Sequence, residues 1–136
     1  MKQALLTIVT KQPETDEKIT FTTRTDCDVT EEGVKVCYEE NLSEEDTVNT
    51  SMFITSDSIF VQRKGESGAD MFFQNTATYE TQYKAMGGIN LDMRIFTTNL
   101  DIKSSDEGIK ASVDYQLFLS GVAVGQMGMD IKVEYL

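Results

Sequence analysis

Apolar and polar residues alternate one by one along most of this chain, a period that suits β-strands with one buried face and excludes amphipathic helices. The pattern is clearest near the C-terminus. Ile109, Ala111, Val113, Tyr115, Leu117 and Leu119 alternate with Lys110, Ser112, Asp114, Gln116, Phe118 and Ser120. After Ser120-Gly121 the alternation restarts, with Met127, Met129, Ile131, Val133 and Tyr135 on one face, so these segments predict a C-terminal hairpin. Upstream, Ile89, Leu91, Met93 and Ile95 form another inner row, and Leu100 and Ile102 continue it beyond a kink expected at Thr98-Asn99. Asp106-Glu107-Gly108 supplies the next turn, and Met52 and Ile54 face Ile59 and Val61 across Thr55–Ser58.

No window carries an apolar stripe at helical spacing; Ser43-Glu44-Glu45-Asp46 could hold one helical turn. Pro13 lies in the polar stretch after the first strand, where it interrupts no ladder. Evenly spaced strands joined by hairpins indicate a sandwich or an up-and-down barrel. Strand length favours a barrel, closed or nearly closed and lipocalin-like, of about 8–10 antiparallel strands with little helix, because closure removes exposed edges. The length of 136 residues fits one domain spanning 1–136.

Lys and Arg number 12 against 23 Asp and Glu, a net charge of −11. Such a field repels polyanions, and no basic stripe is present, so nucleic acid and anionic membrane surfaces are not expected partners. The apolar run Ala4–Val9 is too short for a signal peptide or a membrane span, which makes the cytoplasm the expected location. Histidine is absent. That removes Ser-His and Cys-His nucleophile pairs and imidazole metal ligands; no cofactor is implied, and an enzyme is not the expected reading.

Cys27 and Cys37 flank the turn Thr30-Glu31-Glu32-Gly33. Pairing Val29 with Val34 puts Ile19, Phe21, Cys27 and Val29 on the face of Val34, Val36 and Tyr38, and turns Cys37 outward. A three-residue loop would oppose the cysteines but set Val34 and Val36 beside Asp28 and Asp26. Hydrophobic matching favours two free thiols, one inside and one outside.

The informative residues are polar ones that share the inner phase. Tyr38 and Glu40 share that of Val34 and Val36, and Arg63 that of Ile59 and Val61; Thr81 lies between Tyr79 and Tyr83, and Tyr115 sits in the long strand. A buried carboxylate or guanidinium needs a partner, so a Glu40–Arg63 ion pair ringed by tyrosine hydroxyls is one expectation. The other is that both charges reach water at a barrel mouth. Tyr38, Glu40, Arg63, Tyr79, Thr81, Tyr83 and Tyr115 are the candidate ligand-binding residues. Met86-Gly87-Gly88 reads as a turn or barrel corner, and the acidic Glu39, Glu40, Glu44, Glu45 and Asp46 lack the spacing of a calcium loop.

The segments Gly33-Val34-Lys35-Val36-Cys37-Tyr38-Glu39-Glu40, Val61-Gln62-Arg63-Lys64-Gly65, Met71-Phe72-Phe73 and Tyr79-Glu80-Thr81-Gln82-Tyr83 follow one another in an order that resembles the small bacterial YwiB-like proteins. The chain departs from their pattern after Thr81, where a proline and a glycine are expected and Gln82-Tyr83-Lys84-Ala85-Met86-Gly87 stands. The resemblance implies an uncharacterised calycin-like barrel in a bacterial cytoplasm, and no reaction.

Three functional readings follow. One is a barrel that binds a small apolar or anionic molecule in its interior or mouth. Another is a filled barrel acting as an interaction or homo-oligomerisation module through its outer face, where Phe53, Phe60, Phe72, Phe96 and Phe118 fall. The third, an enzyme with Glu40 as base and Arg63 as anion clamp, ranks last because an ion pair weakens the base and no residue specifies a nucleophile.

Overall fold

Among the described residues the alternating segments fold as ten strands: β1 Lys2–Gln12, β2 Glu17–Val29, β3 Val34–Ser43, β4 Asp46–Ile54, β5 Ser58–Lys64, β6 Met71–Gln74, β7 Thr78–Lys84, β8 Asn90–Ser105, β9 Gly108–Leu119 and β10 Val122–Tyr135. The structure, a computed structural model, describes residues 2–43, 46–64, 68–84 and 88–136. The strands form one antiparallel sheet in the order β6-β5-β4-β3-β2-β1-β10-β9-β8-β7, an up-and-down barrel that is nearly closed and lipocalin-like. The two ends of the chain meet in its middle, β1 pairing with β10 from Ala4–Tyr135 to Lys11–Gly128.

Each turn has a local cause. Ser120 and Gly121 take φ of 50° and 79°, the left-handed pair that matches a two-residue hairpin to strand twist. At Gly108, where φ is 149°, a Cβ would lie 1.9 Å from the Val133 carbonyl oxygen, so the β8–β9 turn tolerates no side chain there. The kink expected at Thr98-Asn99 is a register shift between Thr97 and Asn99 within a continuous β8. Around the β2–β3 turn Val29 pairs with Val34 and Cys27 with Val36, the register that hydrophobic matching selects. Cys27 is buried and Cys37 exposed. The single helical turn considered at 43–46 involves Glu44 and Glu45, outside the described residues; Ser43 and Asp46 pair as strand. Met86 and Gly87 also lie outside them.

The inner faces supply the core: Leu6, Val36, Met52, Ile54, Ile59, Phe73, Ile95, Val113, Ile131 and Val133 are all buried to 2% exposure or less. The five outer phenylalanines are half-buried. Phe53, Phe60 and Phe72 stand in one cross-strand row, with Phe60 and Phe72 ring centroids 6.3 Å apart, and Arg94 covers Phe118 at 4.6 Å.

Among the described residues, two places in the wall lack a regular ladder. At the seam between β6 and β7, Gly68 and Lys84 form an isolated bridge, and the Asn75 side chain acts as a substitute strand residue. Its Nδ2 donates to the Leu100 carbonyl at 3.0 Å, and its Oδ1 accepts from the Leu100 N–H at 2.6 Å. The second gap is a fork. Among the described residues β2 and β3 pair only at Val29–Val34, Asp28–Lys35 and Cys27–Val36, although both strands run on well beyond them. The Thr25 hydroxyl donates to the Cys37 carbonyl at the base of the fork, in place of a continued ladder.

Candidate functional site

The fork positions the site. Behind it lies a cavity of about 230 Å³ lined from β1 and β2 by Ile8, Thr10, Ile19 and Phe21, and from β3 by Tyr38 and Glu40. Met52, Val61, Arg63, Met71 and Met129 complete it. Phe21 and Tyr38 span the fork with ring centroids 5.6 Å apart. Ile19, at 69% exposure, stands at the rim, and among the described residues β3 makes no pairing with this part of β2. A larger open depression of about 1110 Å³ lies around Lys103, Lys110 and Lys132 and contains none of the interior polar groups.

The charged pair sits at the cavity's polar end. Arg63 Nε lies 3.4 Å from Glu40 Oε1, with side chains 22% and 20% exposed. Both sequence alternatives therefore hold in part: the charges are paired, and they still reach water. Arg63 Nη1 donates to the Ala69 carbonyl at 3.2 Å and approaches Met71 Sδ at 3.5 Å, while its backbone N–H donates to Asp70 Oδ1 at 3.0 Å. The guanidinium is thus anchored on the β5–β6 connection and meets Glu40 through one long contact, not through the two-point fork it can form with a carboxylate.

Two tyrosines feel this charge. Burial, with the Glu40 carboxylate adding to it, pushes Tyr38 well above the usual phenol range, and Arg63 opposes the shift. Burial also pushes Tyr115 up to about 12, again against Arg63. Both are neutral phenols at physiological pH. Tyr115 is buried but does not line the cavity; its ring lies 4.9 Å from that of Phe73.

The other candidates lie elsewhere. On β7, Tyr79 sits 6.0 Å from Phe72 across the seam, Tyr83 packs against the core, and Thr81 opens onto a separate depression beside Arg94 and Phe118. None of the three lines the cavity behind the fork. Sequence reasoning missed Thr50. It pairs with Tyr38 on one side and Arg63 on the other, is 2% exposed, and its Oγ1 has no hydrogen-bond partner among the described residues. The available signal was its phase, shared with Val48, Met52 and Ile54. Thr97, opposite Tyr115, is a second buried hydroxyl without a partner. No group of three or more acidic or cysteine side chains that could hold a metal occurs among the described residues, and no helix there is long and apolar enough to cross a membrane.

Comparison with known proteins agrees with this architecture. The crystal structure of ywiB protein from Bacillus subtilis superposes with a TM-score of 0.78, covering 98% of this chain and 90% of that one at 21% identity, a likeness that establishes the fold. No curated protein matches the chain. Residues 5–131 match the family described as "Domain of unknown function (DUF1934)". The resemblance to YwiB-like proteins drawn from the strand motifs therefore holds, and the chain belongs to the DUF1934 family.

Proposed function

We propose that this barrel binds a small molecule in the cavity behind the β2–β3 fork, with the molecule's apolar part among Ile8, Phe21, Met52, Val61 and Met129 and its polar end at Tyr38, Glu40 and Arg63. The observation that carries this reading is the coincidence of three features. The ladder opens between β2 and β3, a cavity lies behind the opening, and the Glu40–Arg63 pair sits inside it. Binding sites of this kind combine apolar walls with a few convergent polar groups. At about 230 Å³ the space is smaller than the roughly 300–1,000 Å³ of drug-sized sites, which favours a small metabolite.

The reading is tested by amide correlation NMR during titration with a small-molecule extract of the host cell. A binder is expected to move the resonances of Ile8, Phe21, Tyr38 and Met129 while leaving β7 unmoved. Met71→Trp, which places an indole in the cavity from a half-buried position, should abolish those shifts. Shifts confined to the outer face, or unchanged in a folded Met71→Trp variant, would contradict the reading.

A further inference from the structure

We infer that the ligand of this cavity carries a zwitterionic head, an ammonium and a carboxylate together, on a small apolar side chain, as in a hydrophobic α-amino acid; the inference rests on the cavity reading above. The polar end presents one carboxylate and one guanidinium on the inner face, from β3 and β5 on either side of β4, joined by the 3.4 Å contact of Nε with Oε1. A simple anion that reached Arg63 would lie beside Glu40, and a simple amine that reached Glu40 would lie beside Arg63. Each would meet a like charge in a partly desolvated space. A zwitterion answers both. Its ammonium takes the Glu40 carboxylate and its carboxylate takes the guanidinium edge, so the pair opens without leaving either charge unmatched.

Independent support comes from Thr50. Its hydroxyl lies between Tyr38 and Arg63 in the sheet, 2% exposed and without a partner among the described residues, although buried polar groups are normally hydrogen-bonded. Thr50 does not itself line the cavity, but both of its sheet neighbours, Tyr38 and Arg63, do, so a carboxylate drawn to Arg63 arrives beside it as the missing acceptor. Tyr38, kept neutral by burial and by Glu40, adds a phenol donor on the same side. The remaining walls hold Met52, Met71 and Met129, flexible thioethers that adapt to apolar side chains of differing shape.

The test is calorimetric titration of the full chain with three probes of matched skeleton: L-leucine, 4-methylpentanoate, which lacks the ammonium, and 3-methylbutylamine, which lacks the carboxylate. L-Leucine is expected to bind at least about tenfold more tightly than either, the loss that follows from leaving one buried charge unpaired. Glu40→Gln should erase the preference over 4-methylpentanoate, and Arg63→Gln the preference over the amine. Thr50→Val, which keeps shape and charge, should weaken L-leucine without altering that ranking. If 4-methylpentanoate matches or exceeds L-leucine, the zwitterion falls and the cavity reading stands. If none of the three binds while NMR titration with host extract shows a cavity ligand, the zwitterion again falls alone. If neither experiment finds a cavity ligand, both readings fall.

Discussion

Replacing Thr50 by Val should make the ligand-free protein more stable and the binding site worse. Valine matches threonine in shape and branching, so the strand and its packing persist, and only the hydroxyl is lost. That hydroxyl is buried to 2% exposure without a partner among the described residues. A buried, unsatisfied hydroxyl costs about 1–3 kcal/mol. Taking the lower end, Thr50→Val should gain about 1 kcal/mol and raise the melting temperature by about 3–5 °C for a chain of this length. Thr97→Val is the control: Thr97 is also buried and unpartnered, but it pairs with Tyr115 and not with the cavity-lining Tyr38 and Arg63 that flank Thr50, so it should stabilise without touching binding. Urea denaturation of the three proteins, with unchanged slopes, measures the difference directly. A loss of more than about 1 kcal/mol in Thr50→Val would refute the reasoning, because it would mean that the hydroxyl is already satisfied in the free protein.

Other perturbations probe the remaining features. Arg63→Leu should cost about 2 kcal/mol in equilibrium unfolding, between the 3–5 kcal/mol of a dry ion pair broken on one side and the near-zero value of an exposed one, since both partners keep about one-fifth exposure. A cost below about 0.5 kcal/mol would place the pair fully in water. Asn75→Ala leaves both the Leu100 N–H and its carbonyl without their partner at the barrel seam and should cost about 2–3 kcal/mol, whereas Asn75→Asp, which cannot donate, should recover only the N–H half. Unfolding of Asn75→Asp equal to wild type would contradict that seam. Tyr38 and Tyr115 have folded values raised above the ordinary phenol pKa of 10.0, so they favour the fold below pH 10 and that contribution is lost as pH rises through the folded values, about 12 for Tyr115. Spectrophotometric titration should therefore show Tyr38 and Tyr115 ionising together with alkaline unfolding, and ionisation of these two near pH 10 in the folded protein would contradict their burial.

Much of this fold is written in single residues. The inner rows of β8, β9 and β10 follow from strict alternation, and the Val29–Val34 register follows from the cost of setting valines beside Asp26 and Asp28. Glu40 and Arg63 were identifiable because charges in an inner phase demand an explanation, and they do meet. The fork was not readable. Alternation fixes which face a side chain takes but not how far apart two neighbouring strands lie, and Ile19 and Phe21 look the same whether or not β3 pairs beside them. Thr50 escaped notice because threonine is an ordinary strand residue, and only the loss of solvent and partners on both sides makes its hydroxyl exceptional. Tyr79, Thr81 and Tyr83 share an inner phase, yet β7 borders the seam: Tyr79 meets Phe72, Tyr83 packs on the core and Thr81 opens onto a separate depression, none of them onto the cavity.

Whether the cavity behind the fork is occupied in the cell is decided most directly by native against denaturing mass spectrometry of protein purified from its own host. The binding account predicts a reproducible extra mass of a small metabolite in the native spectrum, released on denaturation and absent from a folded Arg63→Leu variant. Identical ligand-free masses in both spectra for the wild-type protein, or an extra mass that persists in Arg63→Leu, would contradict it.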